Sequence, residues 1–230
     1  MKPHFSKQRN HALTLLELLL VIVVMAVLVA MILPALAARH HRSGIACINN
    51  VKQICLSYRI WAGDNGDKYP MEISVTNGGT MELALTGNVV ATFQVMSNEL
   101  STPKLLICPQ DKKHFAATNF ESDFSAKTIS FFVSLDAKTN CSQAWLVGDD
   151  NFAVDGIPAK FGVTQFSTNT NVAWTPGRHV PYKEHFWSST RGKSPGNIGL
   201  VDGSVQSVNN SGIANLLQQT GLATNRLAIP

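Results

Sequence analysis

The sequence predicts an α+β protein: a long N-terminal helix, its first half membrane-spanning, laid against a small antiparallel sheet. Three observations carry that prediction. Leu18–Ala38 is a run of 21 residues without a charge, nearly all aliphatic. Beyond it, apolar residues recur every three or four positions from Ile48 to Ala62. Further on, short aromatic and β-branched runs are separated by stretches of glycine, asparagine and aspartate. A chain of 230 residues has room for one ordinary domain and an appendage.

Taken in order, the first segment is a short leader, 1–12, with Lys2, Lys7 and Arg9 and no acid. The uncharged run 18–38 would rise about 31 Å as a helix, against roughly 30 Å of bilayer hydrocarbon. Pro34 is its one helix breaker and is expected to bend it. Ile48, Val51, Ile54, Cys55, Tyr58, Trp61 and Ala62 then form the stripe of an amphipathic continuation. Gly63, Gly66 and Pro70 stop it. One helix is therefore expected over 13–62, about 75 Å long, followed by a globular head over 63–230.

Within the head, Thr128–Leu135 and Ala144–Asp149 read as strands. "NIGLVDGSVQSV" reads as a hairpin turned by Asp202 and Gly203, a pair that a two-residue type I′ turn favours. "NSGIANLLQQTG" reads as a closing helix with Asn210 or Ser211 as its cap and Gly221 just past its end. "VVATFQVMSNEL" reads as another short helix. Residues 75–87 and 153–196 are turn-rich and yield no defined element.

The net charge of +4 invites a nucleic-acid partner, but its location argues otherwise. Without the three leader cations the balance is 16 basic against 15 acidic residues. No stripe of Lys and Arg interleaved with aromatics follows, so no nucleic acid is expected. The leader charges instead hold the N-terminus on the cytoplasmic side, opposed only by Arg39 and Arg42 beyond the apolar run. The head is thus expected outside the cytoplasm, on a single-pass anchor.

One acid, Glu17, stands at the lip of the apolar run. A charge at such depth costs roughly 2.5–3.5 kcal/mol on insertion scales and is usually retained for a partner. A cleaved secretory signal would have a shorter apolar core and a better cleavage site than "LAARHH". A plain signal anchor gives no reason for Glu17. "HALTLLELLLVIV" (His11–Val23) resembles the prepilin class III leader, a basic peptide followed by G-F-T-L-[IL]-E. The resemblance implies cutting by a prepilin peptidase between Ala12 and Leu13 and methylation of Leu13 as the new N-terminus. Thr14, Leu15 and Leu16 match the spacer, Glu17 is the family's acid, and Pro34 falls where such helices commonly kink. Ala12 replaces the usual glycine and Leu13 the usual phenylalanine.

What that acid would do follows from Coulomb's law. Cleavage leaves a cationic α-amine that Glu17 of the same or a neighbouring subunit can meet. Two unit charges 4 Å apart at an effective dielectric of 20 attract by about 4 kcal/mol, enough to offset burial. A misregistered neighbour would leave the acid unpaired, so Glu17 sets register as well as affinity. The resemblance continues through "CINNVKQICLSYRIWAGDNGDKYP", "SNELSTPKLLICPQD", "WLVGDDN" and "GNIGLVDGSVQ". These look like a pseudopilin-like group of planctomycete and verrucomicrobial bacteria, many with a histidine nine residues before Asp-Gly. Here Gly192 stands at that spacing, and His185 and His179 lie further back.

Candidate chemistry elsewhere is sparse. The four cysteines, Cys47, Cys55, Cys108 and Cys141, form no C-x-x-C pair, which excludes the usual redox and zinc spacings. Cys47 and Cys55 would stand about 12 Å apart along one helix, too far for a bridge. An oxidising compartment favours other partners, and Cys47 with Cys108 is the expected pair, against buried free thiols as the alternative. Asp149, Asp150, Asn151 and Asp155 offer hard oxygen ligands, but their spacing misses the calcium loop, and an acidic turn at a strand end is expected. His40 and His41 read as solvated residues at the membrane exit. No hydrolase, metalloprotease or phosphate-loop motif occurs, so neither an enzyme nor a cofactor is expected.

The resemblance therefore implies a pseudopilin of a type II secretion or related filament. Its partners would be a prepilin peptidase, other pilin subunits, an inner-membrane secretion platform and membrane lipid. Its place would be the inner membrane, with the N-terminus cytoplasmic and the head periplasmic, and then a filament. Two rivals stand beside this: a surface type IV pilus subunit for adhesion or DNA uptake, and a membrane-anchored periplasmic binding domain that never polymerises.

Overall fold

The computed structural model describes residues 15–175 and 196–230, with the side chains of 33–43 left aside. The chain has an α+β layout that divides into two units, 1–41 and 42–230. Helix α1, Leu15–Asp64, contributes to both. In the first unit it supplies Leu15–Ile32, long and apolar enough to cross a membrane, with none of that stretch buried. This is consistent with a single-pass anchor. In the second unit its buried stripe is Cys47, Val51, Ile54, Cys55, Tyr58, Trp61 and Ala62. Ile48, expected in that stripe, is only half-buried, and Cys47 takes the inward position.

The end of α1 is chemically closed. The Ala62 carbonyl accepts from the Asn65 and Asp67 amides at 3.1 and 2.9 Å. The Trp61 carbonyl accepts from Asn65 Nδ2 at 2.7 Å. Gly66 (φ 67°) and Asp67 (φ 57°) turn the chain out through the left-handed region, which glycine enters without steric cost. Three short helices follow: α2 Met81–Leu85, α3 Val89–Val95 and α4 Ser97–Leu100. The expected single helix "VVATFQVMSNEL" is thus two, broken at Met96.

The head is built on a six-stranded antiparallel sheet. Its strands are β1 Phe131–Ser134, β2 Trp145–Asp149, β5 Gly162–Ser167, β7 Gly196–Leu200, β8 Val205–Val208 and β9 Thr224–Ile229. Their order is β5-β9-β1-β2-β7-β8. A second, three-stranded sheet joins β3 Phe152–Val154, β4 Ile157–Pro158 and β6 Val172–Trp174 in the order β4-β3-β6. Every residue of β1, β2 and β7 is buried. Such uniform burial means a sheet covered on both faces.

Two apolar clusters do the covering. One gathers the α1 stripe, Phe93, Met96, Leu100 and Leu106 with Phe131, Val133 and Val147. The other gathers Phe132, Trp145, Ile198 and Leu227 with Phe152 and Trp174 of the second sheet, and with Ile213, Leu216 and Leu217 of helix α5, Asn210–Gln219. Adjacent residues of one strand divide between the clusters as the pleat requires. A bulge between Trp145 and Val147 adjusts the register against β7.

Two local expectations are corrected here. The β7–β8 turn contains three residues, Val201, Asp202 and Gly203, rather than the two of a type I′ turn. Gly203 N donates to Leu200 O at 2.9 Å and has φ 86°, and Leu200 N donates to Ser204 O at 2.9 Å. That is a type I turn followed by a left-handed glycine, the usual three-residue solution. The α5 cap is Asn209, one residue before the expected pair; its Oδ1 accepts from Gly212 N at 2.9 Å. Asn210 is used elsewhere, its Oδ1 accepting from Trp174 N at 2.9 Å.

Candidate functional site

Two places carry functional chemistry: the apolar start of α1 and a thiol–carboxylate cluster inside the head. Ala12 and Leu13, the expected cleavage and methylation positions, lie outside the described residues. Glu17 is described and exposed on α1. It is flanked by Leu15, Leu16, Leu18, Leu19 and Leu20, which are 83, 74, 55, 59 and 62% exposed. A contiguous apolar surface of this extent, with one carboxylate in it, requires lipid or protein around it. The helix runs through Pro34.

The second place was legible only in pieces. Cys47 on α1, Cys108 and Asp149 at the end of β2 are each 0% exposed, and their sulfur and oxygen atoms lie within 4.8 Å of one another. Local structure explains the meeting. A 310 turn at Pro103–Leu106 leads into Cys108. Leu106 O accepts from Ser130 N at 2.8 Å, and Ile107 O accepts from Asn50 Nδ2 at 2.8 Å. Asn50 stands one turn after Cys47 on α1, so docking its amide on Ile107 carries Cys108 to Cys47.

Asp149 is held by Asn197 of β7. Its Oδ2 accepts from Asn197 N at 2.6 Å and Nδ2 at 3.0 Å, and its Oδ1 from Cys47 Sγ at 3.6 Å. Asn197 Nδ2 also lies 3.5 Å from Cys47 Sγ. The hydrogen bond with Cys108, burial and the negative charge of Asp149 together push the Cys47 thiol far above its ordinary range. Cys47 and Cys108, the expected pair, are therefore brought together, with no disulfide between them. Cys55 faces β7 instead, its thiol pushed up to about 12 chiefly by burial. Cys141 is half-buried.

The acidic run from Asp149 does not converge. Asp149 points into the thiol cluster, whereas Asp155, in the turn between β3 and β4, holds the start of β6, its Oδ1 accepting from Asn171 N at 3.2 Å. Asp202 Oδ1 accepts from Ser204 N at 2.8 Å within the β7–β8 turn. His179, His185 and Gly192 lie outside the described residues.

A third polar group escaped sequence reasoning. Asp111 Oδ2 accepts from Ser130 Oγ at 2.8 Å and meets His114 Nδ1 at 2.7 Å. The serine proton is directed at the carboxylate rather than at the imidazole, so the three do not form a serine–histidine relay. Their chemistry is that of a hydrogen-bonded knot tying the segment after Cys108 to β1.

With this geometry in view, residues 7–33 match the prokaryotic N-terminal methylation motif of prepilin-type proteins. The matched segment encloses Ala12, Leu13 and Glu17 and the whole of the exposed apolar stretch from Leu15 to Ile32. It supports a prepilin-like protein: a structural subunit rather than an enzyme, processed by a prepilin peptidase and assembling with other pilin subunits. No curated protein and no solved structure matches the chain.

Proposed function

We propose that this chain is a pseudopilin, one building block of a type II secretion filament or a related one, with its head in the periplasm. The observation that carries the reading is the methylation motif over 7–33, continuous with an apolar helix surface that is exposed from Leu15 to Ile32. The peptidase cuts between Ala12 and Leu13, and Leu13 becomes a methylated, cationic N-terminus. Glu17 of a neighbouring subunit neutralises that cation as protomers leave the bilayer and stack on the inner-membrane secretion platform. Apolar packing along the first half of α1 supplies the bulk of the cohesion, and the Glu17 pair fixes the register.

N-terminal sequencing of the chain extracted from native membranes tests this. The expected product starts at N-methyl-Leu13 and reverts to Met1 when the peptidase is deleted. A mature chain that begins at Met1 in the wild-type host would overturn it.

A further inference from the structure

We propose that Cys47 and Cys108 form a structural disulfide, made while the head folds and then sealed beneath Asp149, which fastens α1 to the segment that Asn50 docks on it. The inference rests on the extracytoplasmic placement of the head, since a reducing compartment would keep the pair open.

Three observations carry it. The first is proximity without competition: the two sulfurs lie in one cluster no wider than 4.8 Å, while Cys55 and Cys141 belong to other surroundings. The second is polar satisfaction. Oxidation removes the S–H that Cys47 gives to Asp149 Oδ1, yet Oδ2 keeps both Asn197 donors, at 2.6 and 3.0 Å. Asn197 Nδ2 can donate to a disulfide sulfur as to a thiol. The carboxylate is therefore not orphaned by bond formation, which is the usual cost of deleting a buried donor.

The third is burial, which sets the order of events. Both cysteines are 0% exposed, so no external oxidant reaches them once the core has closed. The hydrogen bond with Cys108, burial and the Asp149 charge also hold Cys47 as the unreactive thiol. The bond must form earlier, by exchange with the disulfide of an extracytoplasmic thiol oxidase. One cysteine thiolate attacks that disulfide and displaces one oxidase thiol. The second thiolate then attacks the mixed disulfide and displaces the other. Two S–H bonds are lost, one S–S bond forms, and two electrons and two protons end on the oxidase. Closure of the core afterwards excludes reductants equally.

A metal fits the same cluster less well. Two thiolates and a carboxylate would place three negative charges around a divalent ion in a fully buried site with only three donors among the described residues. Asn197 presents an N–H to that site rather than an oxygen.

The test uses the full-length chain in detergent. It is reduced, unfolded, refolded in a mixture of reduced and oxidised glutathione, then denatured and trapped with N-ethylmaleimide. Two adducts without reductant, four with it, and a cross-linked peptide joining Cys47 to Cys108 are expected. A C55S/C141S chain should give none and two. Four adducts without reductant, or a different linked pair, would overturn the proposal, and zinc release alongside four adducts would reassign the cluster to a metal. Labelling the half-buried Cys141 of spheroplasts with an impermeant maleimide reads the compartment separately. Labelled Cys141 with four trapped thiols in membrane-extracted protein sinks the disulfide and leaves the placement standing. Cys141 that labels only after the membrane is permeabilised sinks the placement and, with it, the disulfide in the native cell.

Discussion

Gly199 of β7 lies directly beneath Cys55 of α1: a methyl group at Gly199 would overlap the Cys55 sulfur and stand 2.9 Å from Val51 Cγ1. The helix backbone approaches the sheet as closely as it does because this strand position has no side chain. Gly199→Ala is expected to lower stability by about 1–3 kcal/mol, the range for overpacking a filled core. A shift in urea midpoint at unchanged slope checks it. Cys55→Ala in the Gly199→Ala background should recover part of the loss, because the larger overlap is with sulfur, and a strictly additive pair would refute this explanation.

Asp149 gives an ordering rather than a single value. Its Oδ2 receives both Asn197 donors, inside a core where neither has water as an alternative. Asp149→Ala strands those donors and should cost about 2–3 kcal/mol. Asp149→Asn keeps an oxygen for them and should cost about 1 kcal/mol or less. Denaturant midpoints of the two variants decide, and equal losses would show that the volume of the side chain matters more than its hydrogen bonds.

How much of this could be read in advance depended on whether the signal was local. The apolar run, Glu17 and the 3–4 stripe of α1 speak through neighbours in sequence, so the α+β layout was legible. So was the β7–β8 hairpin, though not its extra residue, because Asp-Gly serves two-residue and three-residue turns alike. Strand β9 went unread although it is an interior strand of the sheet, between the edge strand β5 and β1. Its outer half, Thr224 to Arg226, is polar, and only its pairing with β1 and β5 makes it a strand. Strand β5 alternates, but Val163 is 41% exposed, with Phe161 just before the strand 72% exposed, and Phe166 is its one large apolar side chain turned inward, so its pattern is weak. The thiol cluster joins residues 47, 108, 149 and 197, and no spacing rule spans such separations. Asn209 lost the capping assignment to its neighbours because Asn209, Asn210 and Ser211 are all capping residues, and Trp174 decides which asparagine is free to cap.

Two surface carboxyls set an acid limit. The Ser74 hydroxyl and the Val75 amide hold the Glu82 carboxyl below its ordinary 4.5. The Thr118 amide, with Asn119 N and Thr118 Oγ1, holds Asp123 below its ordinary 3.8. A carboxyl lowered by folding contributes stability that is fully present above the ordinary value and is lost as pH falls through the folded one. Wild type should therefore exceed Glu82→Gln/Asp123→Asn at pH 7, and the gap should narrow below about pH 4. Urea midpoints at pH 7, 4 and 2.5 measure it, and a gap independent of pH would assign the difference to shape alone.

Glu17 separates assembly from anchoring. If its carboxylate neutralises a methylated amine in the next subunit, charge is what matters, and Glu17→Gln should fail as Glu17→Ala does. Both variants should still reach the membrane and be cut before Leu13, since the apolar run and the cleavage position are intact. Each should be depleted from sheared or cross-linked filament fractions by on the order of tenfold, the factor that a 1.4 kcal/mol difference gives. Glu17→Asp, which keeps the charge on a shorter arm, should retain partial assembly. Cross-linking of membrane preparations, with N-terminal sequencing as the control for processing, provides the measurement. Wild-type filament yield from Glu17→Gln would mean that the carboxylate contributes no ion pair, leaving apolar packing along α1 to hold protomers together unaided.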